Sequence, residues 1–361
     1  PADWFDDAFE KEAADSTFYA SMDINIPDMY GYTSNAKVVI LDACFNGAFC
    51  EDDYIAGYWI FNPGQTMVVK ANTVNTLQDT WTNELMGLLN AGVCVGNWAK
   101  GQMTLESHLF GDASYSFQNA YPQYDIDKAI VAQRGNNKYW KKLLKCGVVD
   151  IQALALKTLS ENNAVSSEEL LSVERDNESA VMRLEAFMSL KRRADKSLTD
   201  AILLGLDDSY ELTQRLSALT AEKSGDPAMK EAVARYMKDS TVSARVYFHL
   251  NGMRDIYNPT QYTLDEFKSL NDSRTTLRDK KFIVSAQRNN CNPYCVDEMI
   301  KLLQESEDQE FRVDIAETLG WYVYSYKKNE IVAKCESLLS QEKNERVANE
   351  LTKTINRLKN K

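Results

Sequence analysis

An arginine returns at a nearly fixed interval through the second half of the chain. Arg183, Arg215, Arg245, Arg278, Arg312 and Arg346 stand 32, 30, 33, 34 and 34 residues apart. Each closes a short polar stretch: DNESAVMR, DDSYELTQR, DSTVSAR, DSRTTLR, DQEFR and NER. The surrounding sequence is rich in Leu, Ala, Lys and Glu. Its apolar residues fall at helical spacing, as in SYELTQRLSALTAEK followed by PAMKEAVARYM. A period in the low thirties built from helix pairs predicts an all-α solenoid, because one pair cannot bury its apolar face without stacking on the next. The Asp or Ser of each stretch serves as a helix cap, and the arginine is placed to bond the neighbouring unit's turn. The chain closes in a polar helix, NERVANELTKTINRLKNK, as the end of a stacked array should. This reading covers residues 123–361.

Residues 1–122 are of another kind. Residues 1–120 hold 16 Asp and Glu against 4 Lys and no Arg, a net −12, which is the net charge of the whole chain. Such a break in charge marks a domain boundary. Concentrated negative charge argues against a nucleic-acid partner, which requires basic patches. It suits a cationic substrate or a solvated surface equally. Val38–Asp42, Thr66–Ala71 and Leu105–Phe110 read as strands, and the unbroken runs VVIL and MVV as strands buried on both faces of an α/β sheet. DTWTNELMGLL, Asp79–Leu89, has helical spacing and an acidic start. VVIL reads as a central parallel strand, yet MDINIPDMY before it is at best an edge. The expectation is an incomplete sheet, its other strands supplied by sequence upstream of Pro1 or by a clipped partner chain.

The chemistry centres on VVILDACFNGAF, Val38–Phe49. Cys44 falls just past a strand's carboxyl end, where α/β sheets place their reactive groups. There the N–H groups of the turn and a following helix dipole stabilise a thiolate. Asn46-Gly47 turns the chain sharply and leaves room for a substrate backbone. The competing reading is a small buried hydrophobe. Cys291 and Cys295, in CNPYC, form either a small loop disulfide or two free thiols. His108 and His249 are the two histidines, and no His/Cys set has zinc spacing. No metal and no cofactor are expected. No apolar run approaches 18 residues, so no membrane span is expected.

Two resemblances sharpen these readings. The helix-pair units resemble HEAT repeats. LDACFNGAF, then VVKANTVNTLQDTW (Val68–Trp81), then TLESHLFGDASYSF (Thr104–Phe117), resemble in order the gingipain-type cysteine peptidases of the caspase-like clan. That likeness covers roughly residues 1–120. It implies an α/β caspase-like three-layer domain, incomplete in this chain, with residues 1–122 its C-terminal portion. It implies a cysteine endopeptidase with Cys44 as nucleophile and the Cys44 backbone N–H in the oxyanion hole. Asn72, Thr73 and Val74 form a wall of the pocket for the residue before the scissile bond. By likeness to clostripain-like relatives, Asp42 selects Arg or Lys there through a charge-assisted hydrogen bond; the alternative is an Asp that only ends a strand.

The family's base is a His followed by Gly, upstream of the Cys. Here none precedes Cys44, His108 reads as structural and His249 lies on a repeat helix. The resemblance therefore implies a base carried by a segment upstream of Pro1, and a polypeptide substrate. The alternative is a catalytically inactive peptidase-like platform whose helical repeats bind a protein partner. Relatives of this kind are mostly bacterial and exported, which implies a periplasmic, outer-membrane or extracellular setting.

Overall fold

Helix dominates the computed structural model, which describes residues 2–22, 24–76 and 79–359. It divides into two units, Pro1–Arg134 and Gly135–Lys361. The first contains α1 (Ala2–Met22), β1 (Val38–Ile40), α2 (Ile55–Phe61), β2 (Val68–Asn72), α3 (Val95–Lys100), β3 (Ser107–Gly111) and α4 (Ile126–Ala132). The boundary falls at residue 134 rather than 122 because α4 is tied back. The Asp127 carboxylate accepts from the Cys94 N–H at 2.8 Å and from Asn97 Nδ2 at 2.9 Å.

The three strands lie where the apolar runs placed them, but the fold class expected for this unit is corrected. In place of a caspase-like three-layer α/β domain there is one small mixed sheet of order β1-β2-β3 in a mainly helical chain. β1 and β2 are parallel, Val38 opposite Val68, and β3 runs antiparallel to β2, His108 opposite Ala71. The middle strand is β2, buried along its whole length, whereas β1 pairs only with β2 among the described residues and is half-buried. The helix expected over Asp79–Leu89 is not formed. Asp79 and Leu85 take left-handed backbone, φ 54° and 52°, leaving a 3-10 turn at Met86–Leu89. A left-handed non-glycine residue ends helical propagation at that point. The segment read as an edge strand is likewise a 3-10 turn, Ile26–Met29.

Strand alternation sorts β2 into two faces. Val69 and Ala71 pack with Val39 and with Ala56 of α2. Lys70 and Asn72 point the other way, toward the chain from Thr76 to Ser107.

The second unit is helical throughout. It runs α5 (Asn137–Leu143), α6 (Val149–Glu161), α7 (Ser167–Asp176), α8 (Ala180–Arg193), α9 (Leu198–Leu206), α10 (Glu211–Ser224) and α11 (Lys230–Tyr236). It continues through α12 (Ala244–Tyr257), α13 (Gln261–Ser269), α14 (Leu277–Asn290), α15 (Val296–Glu305), α16 (Gln309–Leu319), α17 (Lys328–Leu339) and α18 (Glu345–Lys359). Ser243, Thr276, Asp308 and Asn344 each accept the N–H three residues on, capping α12, α14, α16 and α18. Arg183 reaches the next turn, forking onto Asp208 at 2.7 and 2.9 Å, and Arg312 pairs with Glu342. Arg346 reaches back to Glu310 instead, and Arg215 pairs with Glu211 of its own helix. Cys291, Cys295 and Cys335 are free thiols in one apolar cluster with Val296, Met299 and Leu319. Burial raises the pKa of Cys291 to about 11 and that of Cys335 to about 12.

One polar group sits against this grain. Glu174 of α7 is 2% exposed, and neither carboxylate oxygen has a hydrogen-bond partner among the described residues. Gly205 of α9 packs beside it and makes room for Ser217, since a Cβ there would lie 2.0 Å from Ser217 Oγ and 3.4 Å from Glu174 Oε1. Burial, reinforced by Asp208 and opposed by Arg175, pushes its pKa from 4.5 up to about 9. The folded chain thus holds a proton that the unfolded chain releases near 4.5. The associated stability is full below that pH and is lost as pH rises through about 9. Urea unfolding should show stability falling across this window by a few kcal/mol, at roughly 1.4 kcal/mol per pKa unit. Glu174→Gln should flatten the fall; an unchanged profile would show that the buried carboxyl is not protonated.

Candidate active site

Cys44 lies in a turn directly after β1, exposed to solvent. The next helix, α2, begins only at Ile55, so no helix dipole acts on Cys44 and that part of the expectation is corrected. The backbone does the positioning instead. Leu41 N–H makes the last ladder bond to Lys70 at 2.8 Å. The chain then wraps the end of β2, with Phe45 N–H on Val74 O at 3.2 Å and Gly47 N–H on Asn72 O at 2.8 Å. Phe45 is left-handed at φ 59°, a conformation costing a residue with a side chain about 1–2 kcal/mol. The space over Gly47 is taken by the protein's own backbone rather than left for a substrate: a Cβ there would lie 2.9 Å from Ala71 Cβ and 3.2 Å from Asn72 N.

The Thr76 N–H donates to Cys44 Sγ at 3.3 Å. The Cys44 N–H has no hydrogen-bond partner among the described residues, so it remains available to an oxyanion. Asn72, expected as pocket wall, is 6% exposed and its amide is spent internally. Its Nδ2 donates to Thr76 Oγ1 at 2.7 Å and to Ala43 O at 3.4 Å, while its Oδ1 accepts from Ser107 Oγ at 2.8 Å. Thr73 is half-buried, with its N–H on Glu106 O at 2.8 Å. Val74 is 47% exposed.

Beside this turn is a narrow cavity of about 60 Å³ on the Lys70/Asn72 face of the sheet, lined also by Asp42, Thr76, Trp81 and Glu106. Asp42 accepts from Thr82 Oγ1 at 2.8 Å. Lys70 is buried, donating to Thr82 O at 3.1 Å and Gln102 Oε1 at 3.3 Å, above the Trp98 ring. Burial lowers its pKa and the Asp42 charge opposes that shift. Glu106 Oε2 is buried without a partner among the described residues, and hydrogen bonds from the Thr104 side chain and the backbone hold its carboxyl below the usual range.

Three of these residues escaped the sequence reading. Lys70 had a signal, a lone cation ending the run MVV. Glu106 and Thr76 had none, because loop packing brings them to the site. The histidines stand elsewhere: the His108 ring meets Phe49 edge-on at 5.2 Å, and His249 Nδ1 lies 3.2 Å from Glu222. Neither bonds Cys44 among the described residues. No group of three or more His, Cys, Asp or Glu among them is arranged to hold a metal ion, and no helix among them is long and apolar enough to cross a membrane. The sequence matches no protein-family model and no curated protein.

Asn72→Ala should leave buried Ser107 unsatisfied and release the exposed Ala43 and half-buried Thr76, costing about 1–3 kcal/mol. Gly47→Ala should cost a similar roughly 1–3 kcal/mol by overpacking β2. Both should speed hydrogen exchange at the Phe45 amide; unchanged exchange in both would mean the turn is held by something else.

Proposed function

We propose that this chain carries the nucleophile of a cysteine endopeptidase, with a preference for Arg or Lys before the scissile bond. The carrying observation is the Cys44 turn: an exposed thiol with an amide on its sulfur and its own N–H without a partner among the described residues, beside a cavity holding two carboxylates. In this reading Sγ attacks the substrate carbonyl carbon as an imidazole takes its proton. The C–S bond forms and the carbonyl oxygen becomes an oxyanion at the Cys44 N–H. The base then returns the proton to the leaving amine, and water hydrolyses the thioester.

Asp42 and the unpartnered Glu106 oxygen supply acceptors for a cationic side chain, against the single ammonium of Lys70. The imidazole belongs to a partner segment or chain, and the outer edge of β1 offers that partner a strand to pair with. The helices of the second unit would present a surface to substrate or partner, and an exported setting belongs to the same proposal. A second reading, the inactive platform, is favoured by the commitment of both histidines elsewhere.

One labelling experiment separates the two readings. The protein purified from its source is treated with a peptidyl-arginyl acyloxymethyl ketone and followed by intact mass and peptide mapping. Cys50 is exposed on the same stretch and serves as the internal control. Catalysis predicts labelling of Cys44 at least about tenfold faster than Cys50, a difference of about 1.4 kcal/mol. Asp42→Asn and Glu106→Gln should each narrow the advantage of the arginyl over a norleucyl probe. Equal labelling of Cys44 and Cys50 would leave the platform.

A further inference from the structure

A second cavity, of about 520 Å³, lies within the helical unit, far larger than the slot beside Cys44. Its size falls in the range of small-molecule sites. Its walls come from stretches distant in sequence: the end of α8 with the start of α9, the end of α10, the turn leading into α17, and the end of α18. Polar ties hold these stretches together. The Tyr326 N–H donates to Ser224 O at 3.1 Å, Lys328 Nζ donates to Ala194 O, and Lys191 stands over the Tyr324 ring.

The lining has a one-sided hydrogen-bonding balance. Its two acids are already engaged. Asp195 accepts from Ser197 N–H at 2.8 Å and Ser167 Oγ at 2.6 Å, and Asp226 from Thr199 Oγ1 at 2.6 Å and Ala228 N–H at 2.9 Å. Its cations are not all engaged. Arg193 spends Nη1 and Nη2 on Ser167 Oγ, Ser160 O and Val165 O, its buried Nε and Lys196 have no partner among the described residues, and Lys328 gives one of its three donors to Ala194. The fourth cation, Lys359, is bonded to Glu336. The rest of the wall mixes polar Thr199, Ser325 and Asn329 with apolar or aromatic Leu198, Val332 and Tyr324.

Open donors with charge, acids already bonded and a wall that is partly apolar and aromatic suit an acceptor-only charged group on a partly apolar body. We propose that this cavity binds a small organic anion, a carboxylate or phosphoryl group carried on an apolar or aromatic framework. The site is independent of Cys44 and stands whether or not the peptidase reading does.

The test is calorimetric titration of the full chain with benzoate, phenyl phosphate and the neutral analogue benzamide. At least one anion should bind saturably, and benzamide at least about tenfold more weakly, or 1.4 kcal/mol. Preference for benzoate would assign a carboxylate ligand and preference for phenyl phosphate a phosphoryl one. Lys196→Met, at an exposed position, should weaken the anion several-fold, and the double variant Lys196→Met/Lys328→Met at least about tenfold. Lys334→Met, exposed and outside the lining, should change nothing. Circular dichroism checks that each variant is folded. If the double variant does not fold, Lys196→Met alone decides. The proposal is overturned if neither anion binds below about 10 mM, if benzamide binds as well as they do, or if folded lysine variants keep wild-type affinity.

Discussion

The first unit depends on one buried amide. Asn72 ends β2 with every polar atom committed: N–H and C=O to the turn after Cys44, side chain to Ala43, Thr76 and Ser107. One residue therefore fixes three pieces of chain that approach from different directions. A buried amide left half-satisfied costs more than an apolar residue in its place, so its value here lies in fixing geometry. Cys44 owes its position to that knot, with no helix behind it to do the same work.

In the helical unit the polar groups act as spacers between elements about one helix pair apart. Arg183 with Asp208, Arg288 with Glu317, Tyr322 with Asn292 O and Lys327 with Asp297 join residues 25 to 30 apart. Each bond fixes the register of one helix pair on the next, while apolar side chains such as Leu184, Phe187 and Leu190 supply most of the burial. Glu174 is the exception, a buried carboxyl with no hydrogen-bond partner among the described residues.

Legibility in the sequence followed how local the governing physics was. The strands were legible because VVIL, MVV and the run ending at Phe110 carry their own signal, and the caps at Ser243 and Asp308 because a cap acts within three residues. The helix over 79–89 was misread because apolar spacing does not reveal the left-handed backbone at Asp79 and Leu85. The sheet was misjudged for a related reason. A three-residue apolar run looks the same at an edge as in the middle, and only pairing shows that β2, with a lysine in it, is central. Of the site, Cys44 and Asp42 stood out. Glu106 did not, since its place depends on the path of the chain through Trp81 and Gln102.

The tie from Lys328 to Ala194 spans 134 residues, and that from Lys223 to Asn289 spans 66. An array in which each helix touches only its neighbours can fray from either end, and its stability is a sum over adjacent pairs. Bonds across such distances break that independence. They delay completion of the fold until remote stretches have met, since distant contacts carry the larger loop-closure entropy. Once formed, they couple the opening of α17 to that of α8. Kinetically, the unit should behave less like a string of separable modules than like one cooperative body whose late step is the joining of α8 to α17.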